Sequence, residues 1–239
     1  MIGRVLSFPT LRASMIRGVV DGLAERPGAA NNFLGAMRAV STWALVRDHL
    51  TASITDGIEP YAATSGHKPW TDAQNAAAHE HLTGHVRRGV MLMIYTGQRG
   101  SDVVRLGWTD IDENGFRLAQ QKTGREVWCP IVAELATEMS GWEKAPGPFV
   151  RQASGRPFTR KLFSKHFDTQ REAIPALKDV ILHGLRATAV VRLRRAGLST
   201  AQIQDVIGMS MAMIERYARF ADRKTSGQAA ILHMAAARK

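Results

Sequence analysis

Gly89-Val90-Met91-Leu92-Met93-Ile94-Tyr95-Thr96-Gly97-Gln98-Arg99-Gly100-Ser101-Asp102 is the stretch on which the fold turns. Its first half is apolar on every side, so the spacing predicts a helix from Gly89 to Tyr95 buried inside a core rather than lying on its surface. Gly97 is placed to end that helix, because glycine adopts the left-handed conformation of a helix C-terminus without steric penalty. Ser101 can then cap a second, short helix with Asp102 at its start. Arg99 lies between the two, in a glycine-containing loop at a helix N-terminus, where unpaired backbone N–H groups favour anions. On this stretch alone, a phosphate ligand and a solvated loop arginine explain Arg99 equally well.

Working outward, Thr71 reads as an N-cap with Asp72 and Gln74 in the first turn of a preceding helix. Over residues 106–129 the period changes to two: Phe116 and Leu118, then Val127 and Cys129, alternate, with Glu113-Asn114-Gly115 and Thr123-Gly124 supplying turns. That pattern predicts a small antiparallel sheet. Beyond Pro130 the signals are helical again, with breaks at 146–148, 155–157 and Gly197. An earlier helical block runs from about Thr10 to Leu50, interrupted by Arg26-Pro27-Gly28, with Phe33, Leu34, Met37, Val40, Trp43 and Ala44 at helical spacing. From Thr51 to Trp70 the pattern dissolves into Thr, Ser, Gly and Pro and reads as a linker. The expectation is a mainly α protein with a small antiparallel β-sheet (α+β), in two domains, 1–64 and 65–239.

The 239 residues are 45% hydrophobic, which excludes a disordered tail, and the single cysteine, Cys129, excludes a disulfide-stapled domain or a multi-cysteine zinc site. The longest apolar run, Val90 to Tyr95, is far short of the roughly 20 residues of a membrane span, and Met1 to Leu11 does not read as a signal peptide. These features predict a soluble, cytoplasmic protein with no membrane partner, nucleoid-associated in a bacterium. The formal charge is 32 − 21 = +11. With a pI near 10.5, the chain calls for a polyanionic partner, of which nucleic acid is the commonest.

Arg186 falls within the apolar stripe Leu182, Leu185, Ala189, Val190 and Leu193 of a helix over about His183 to Arg195. An arginine on a buried face must be paired or must meet an anion. A structural ion pair and an anion site both satisfy that requirement, and His183, one turn earlier, can share the anion. Lys122 occupies the hairpin Gln121-Lys122-Thr123-Gly124-Arg125, where a long cation can reach a cleft beside the sheet, although a turn lysine is usually just solvated. Tyr217, one of three tyrosines, lies at helical spacing from Met213 and Ile214 and taken alone reads as a core residue.

Taken in order, Thr96-Gly97-Gln98-Arg99-Gly100-Ser101-Asp102, Lys122-Thr123-Gly124, His183-Gly184-Leu185-Arg186 and Glu215-Arg216-Tyr217-Ala218-Arg219 resemble the successive active-site motifs of the tyrosine recombinases, the phage-integrase family. The resemblance covers roughly residues 68–220. Residues from Ala30-Asn31-Asn32 to Trp43-Ala44 are similar to the last helices of that family's core-binding domain, so the resemblance implies a partial core-binding unit within 1–64, no separate arm-binding domain, and a catalytic domain over 65–239.

The resemblance implies that Tyr217 is a nucleophile that attacks a DNA phosphodiester, leaving a 3′-phosphotyrosyl link and a free 5′-hydroxyl. It implies that Arg99 and Arg186 hold the non-bridging oxygens, as a guanidinium fork is suited to do. Lys122 would protonate the leaving oxygen, His183 would assist proton transfer at the tyrosine, and Asp102 would buttress the first arginine. No metal, nucleotide or other cofactor is implied, because the covalent link conserves the energy of the broken bond. The implied partner is double-stranded DNA, bound by a homo-oligomer, a tetramer on DNA, through a C-terminal helix with Ala230, Ile231, Met234 and Ala235 at helical spacing. Arg125, Arg160, Lys161, Lys165, Arg192, Arg195, Arg216 and Arg219 are the candidate contacts to the DNA backbone.

One position departs from the family. Ile207-Gly208-Met209-Ser210 stands where Leu-Gly-His-Ser is usual, so Met209 replaces a His or Trp that donates to the scissile phosphate. A thioether cannot donate, and losing one such bond costs on the order of a hundredfold in rate. Lys165 or His166 is a candidate replacement donor. The alternatives are a catalytically impaired DNA-binding or accessory regulator and a type IB topoisomerase-like enzyme. His79, His81 and His85 superficially suggest a metal, but the zinc-protease pattern fails and a helix face near Trp70 explains them more simply.

Overall fold

The structure is a computed structural model and describes residues 10–62, 67–221 and 227. The chain divides into two compact units, Met1–Gly66 and His67–Lys239. The C-terminal segment expected to dock on a neighbouring protomer lies, apart from Gly227, outside the described residues.

The first unit holds helices α1 (Ala13–Gly22) and α2 (Pro27–Leu45). Pro27 starts α2 because a first-turn residue needs no N–H and its fixed φ is already helical. Ile16 and Val20 of α1 meet Ala30 and Leu34 of α2 in the core. The stretch read as a linker turns out, over residues 51–62, to be part of that core: Ile54 and Ile58 are buried in it. Polar side chains of α2 satisfy the irregular backbone there. Arg38 donates to the Ile58 carbonyl at 2.8 Å, Ser41 Oγ accepts from the Ile54 N–H at 3.2 Å, and Asn31 brackets both backbone groups of Tyr61 at 2.9 Å. Composition reported the absence of regular structure, and two spaced isoleucines decided the packing.

The second unit opens with α3 (Asp72–His81), capped as expected: Thr71 and Gln74 form a reciprocal capping box. The buried helix α4 spans Gly84–Thr96 and begins five residues before the predicted start. Arg87 and Arg88 hid that first turn, yet both are accommodated. Arg87 makes a bidentate pair with Glu138 at 2.8 and 2.7 Å, and Arg88 lies over the Trp142 ring. Gly97 ends α4 at φ 65°, and a Cβ there would lie 2.8 Å from the Ala189 Cβ. Only glycine fits the turn that presents Arg99. Arg99 itself, not Ser101, is the N-cap of α5 (Gly100–Val103), and its backbone is extended.

Strands β1 (Ile111–Asp112), β2 (Gly115–Ala119) and β3 (Glu126–Pro130) form an antiparallel sheet in the order β1-β2-β3. Phe116 pairs with Cys129 and Leu118 with Val127, so the alternating residues share the core face. Then follow α6 (Ala133–Ser140), α7 (Arg160–Glu172), α8 (Gly184–Arg195), α9 (Thr200–Ile207) and a helical stretch over residues 211–221.

Two apolar clusters fill this unit. One is built on α4 and includes Leu185 of α8, whereas the other gathers Ala187, Ala189 and Val190 of α8 with Ile203, Ile207, Met209, Ile214 and Tyr217. Helix α8 therefore lies between two cores, and Gly184 to Val191 are all buried. Arg186 sits in that run, where an apolar residue would be expected.

Candidate active site

A cleft of about 370 Å³ opens between the α4–α5 loop, the β2–β3 hairpin, α7 and the start of α8. Its wall brings together Arg99, Lys122, Arg160 and His183, with Ser101 and Ser164 as hydroxyl groups, and among the described residues it holds no carboxylate. A concave surface lined by cations without counter-charge is built for an anion.

Arg186 is 2% exposed. Its Nη1 donates to the Gly97 carbonyl at 2.8 Å, while Nη2 is buried with no hydrogen-bond partner among the described residues. Burial and the neighbouring Arg99 charge push the guanidinium down to about 10, and Asp102 and Tyr217 act in the opposite direction. Arg186 is thus charged at neutral pH, with a buried N–H group left to donate. Such a group is costly unless an acceptor arrives.

Arg99 Nη1 donates to Gln120 Oε1 at 3.0 Å. The buttressing expected of Asp102 takes another route: its Oδ1 accepts the Gln121 backbone N–H at 2.8 Å, which ties α5 to the hairpin that carries Lys122. Gln120 is a site residue that sequence reasoning missed. The signal was present, because alternation from Phe116 and Leu118 puts Gln120 on the core face, where a polar residue requires an explanation.

His183 occupies the N-cap position of α8, and the His67 ring stands edge-on to it with centroids 4.8 Å apart. Burial, then His67 and the guanidinium groups of Arg186, Arg160 and Arg99, hold its pKa down to about 4. At neutral pH it is an uncharged imidazole able to accept a proton. Since the unfolded chain would protonate His183 near 6.5, stability from this group is full above that pH and is lost as pH falls towards 4. His79 and His85 are also depressed, chiefly by burial, and act in the same direction. The melting temperature is therefore expected to fall between pH 7 and pH 4.5, with a shallower fall in His183→Asn. Thermal melts across that range check it.

Tyr217 is 2% exposed on the 211–221 helix and belongs to the apolar cluster with Ile207, Met209 and Ile214. It is close enough to Arg186 to support that group's charge, but it is not part of the cleft wall. Met209 is buried in the same cluster, and its carbonyl accepts from Gln204 at 3.2 Å.

Of the candidate DNA contacts, Arg160 lines the cleft, while Lys161, Lys165, Arg216 and Arg219 are exposed. Lys165 and His166, suggested as replacement donors, are not in the cleft wall; His166 is edge-on to Phe158, and Ser164 takes the inward place on α7. Arg125 lies 3.6 Å from Asp205. Arg192 covers the Tyr95 ring and lies 3.7 Å from Glu134, and Arg195 lies 3.3 Å from Asp72, so both tie α8 to its neighbours. His79 lies 3.2 Å from the Tyr95 hydroxyl and His85 3.2 Å from the Phe149 carbonyl. Among the described residues, no three His, Cys, Asp or Glu side chains gather as a metal site would require. Nor is any described helix long and apolar enough to cross a membrane.

The integrase of Escherichia phage HK022 is 29% identical over 228 residues, which is 90% of this chain, and the chain spans 58% of that relative's length. A crystal structure of a lambda integrase dimer bound to a COC′ core site has a TM-score of 0.76 at 16% identity, over 90% of this chain and 82% of that one. A lambda integrase tetramer bound to a Holliday junction gives 0.71 at 17% identity, over 86% of this chain and 65% of that one. These likenesses are to the fold. The phage integrase family model matches residues 71–224, from the cap of α3 past Tyr217 and well over half the chain. With that span matched, the chain belongs to the phage integrase family.

Proposed function

We propose that this chain is a site-specific DNA recombinase that cuts and rejoins duplex DNA through a 3′-phosphotyrosyl intermediate. The observation that carries the reading is Arg186: a buried cation whose Nη2 has no partner among the described residues, grouped electrostatically with Arg99 and His183, which line a cationic cleft. A phosphodiester seated there would accept from both guanidinium groups, and the charge that builds on its oxygens in the transition state would be neutralised. The Tyr217 oxygen bonds to phosphorus, the bond to the 5′ oxygen breaks, and Lys122 supplies the proton that the leaving oxygen takes. His183, uncharged at neutral pH, accepts the proton that Tyr217 gives up. Rejoining reverses these transfers. Because Tyr217 is packed in the apolar cluster, its helix must shift to bring the hydroxyl to the phosphate when DNA is seated.

Under this reading, the first unit is a partial core-binding domain, and the protein acts in the cytoplasm as an oligomer on DNA; lambda integrase is seen as a dimer bound to a core site and as a tetramer bound to a Holliday junction. A second reading, a DNA-binding relative with impaired cleavage, is favoured by Met209. An SDS-resistant adduct on nicked duplexes drawn from DNA flanking the gene separates the two. The recombinase reading expects an adduct with the wild type and none with Tyr217→Phe, whereas salt-sensitive binding without an adduct would favour the regulator. Relaxation of supercoiled plasmid lacking any target site would instead indicate a topoisomerase-like enzyme.

A further inference from the structure

Gln120 is buried at the end of β2, and every hydrogen-bonding position of its amide in the structure goes to an element carrying a residue of the site. Its Nε2 donates to Gln98 Oε1 and to the Ile207 carbonyl, each at 2.7 Å. Its Oε1 accepts from Arg99 Nη1 and from Thr123 Oγ1, each at 3.0 Å. The four partners lie on the Arg99 loop, on the hairpin next to Lys122, and at the C-terminus of α9, two residues before Met209. Gly208, at φ 67°, lets the α9 end approach this closely, since a Cβ there would meet Gln120 Nε2 at 2.6 Å.

We propose that Gln120 is a positioning residue that fixes Arg99, the Lys122 hairpin and the Met209 turn in one mutual arrangement. The inference rests on the recombinase reading for its effect on rate, but its effect on geometry stands independently. An amide suits the task as few side chains would. It donates twice and accepts twice in fixed directions, so its orientation is set by the two acceptors of its nitrogen, Gln98 Oε1 and the Ile207 carbonyl, and the acceptor oxygen is left to aim the guanidinium. A carboxylate at this position would keep the acceptors but lose both donations, whereas an aliphatic side chain would release all three elements at once. Asp102 adds to the same construction from the other side, through the Gln121 N–H. Gln98 completes it below the sheet, with its own amide nitrogen near the carbonyls of Val206 and Ile207 at 3.3 Å.

The test compares wild type, Gln120→Met and Thr123→Val, with two readouts. The first is amide hydrogen exchange over residues 120–125 and 207–211. The second is the single-turnover rate of adduct formation at saturating nicked duplex, alongside duplex affinity. Gln120→Met is expected to raise exchange in both segments together and to slow adduct formation by on the order of ten- to a hundredfold, with affinity held within about twofold. Thr123→Val, which removes one contact from an exposed residue and keeps the core intact, is expected to slow the rate by a few-fold and to add nothing in the Gln120→Met background. Unchanged exchange and rate in Gln120→Met would overturn the proposal, as would full additivity of the two changes. If Gln120→Met does not fold, Thr123→Val decides: an unchanged rate and unchanged hairpin exchange overturn the proposal. If the wild type forms no adduct, the recombinase reading falls, and the exchange data alone uphold or overturn the role of Gln120.

Discussion

Arg186→Met is expected to abolish adduct formation while raising the melting temperature. Removing a single donor to a developing oxyanion costs about a hundred- to a thousandfold, and Arg186 would supply a full charge as well, so the rate should fall by at least on the order of a thousandfold. Stability should move the other way. The guanidinium is 2% exposed, has a neighbouring cation in Arg99 and one unpartnered nitrogen, and among the described residues its one direct hydrogen bond is to the Gly97 carbonyl. Replacing such a group by an apolar side chain of similar length in a helix already buried between two cores is expected to stabilise the unit by about 1–4 kcal/mol. At roughly 2–4 °C per kcal/mol for a unit of this size, the melting temperature should rise by several degrees. Differential scanning calorimetry and the adduct assay on the same preparation check both. A fall in melting temperature would mean that Arg186 is a structural ion pair after all, the reading that its helix left open.

Met209→His is expected to accelerate adduct formation by up to about a hundredfold, the cost assigned to one missing transition-state donor. Met209 is held by its carbonyl to Gln204 and by its side chain to the cluster that contains Tyr217. A histidine there would join the cluster that contains the nucleophile and bring a ring N–H able to donate. Single-turnover kinetics on a nicked duplex measure the effect. An unchanged rate would mean that another group already donates, and Ser164, which faces the cleft from α7, would be the first to replace with alanine.

The order of elements was readable because each carries a local signature with a physical cause: the Thr71 capping box, the all-apolar run of α4, the glycine stop at Gly97 and the alternation of Phe116, Leu118, Val127 and Cys129. Boundaries were less legible where charge is compensated from afar. Arg87 concealed the first turn of α4 because its partner, Glu138, lies 51 residues away. Residues 51–62 read as a linker because composition cannot report that Asn31, Arg38 and Ser41 would bond their backbone.

At the site, ordered motifs pointed to Arg99, Lys122, His183, Arg186 and Tyr217, and the cleft gathers three of them with Arg186 grouped electrostatically with Arg99 and His183. Tyr217 is set apart in an apolar cluster, which agrees with the helical spacing that first made it look like a core residue. The partner of Arg99 was hidden because the resemblance gave the buttressing role to Asp102, whereas the geometry gives Arg99 a neutral amide and directs Asp102 Oδ1 to the hairpin backbone. The alternation of β2 puts Gln120 on the core face, but its pairing with Arg99, 21 residues away, leaves no periodic trace in the sequence.

The central claim is a covalent bond between Tyr217 and DNA phosphorus, and mass spectrometry of the adduct tests it most directly. The adduct trapped on a nicked duplex would be digested with nuclease and trypsin. The result expected is a nucleotide mass attached through phosphate to the peptide Tyr217-Ala218-Arg219. Attachment to any other residue, or an adduct that persists unchanged in Tyr217→Phe, would contradict it.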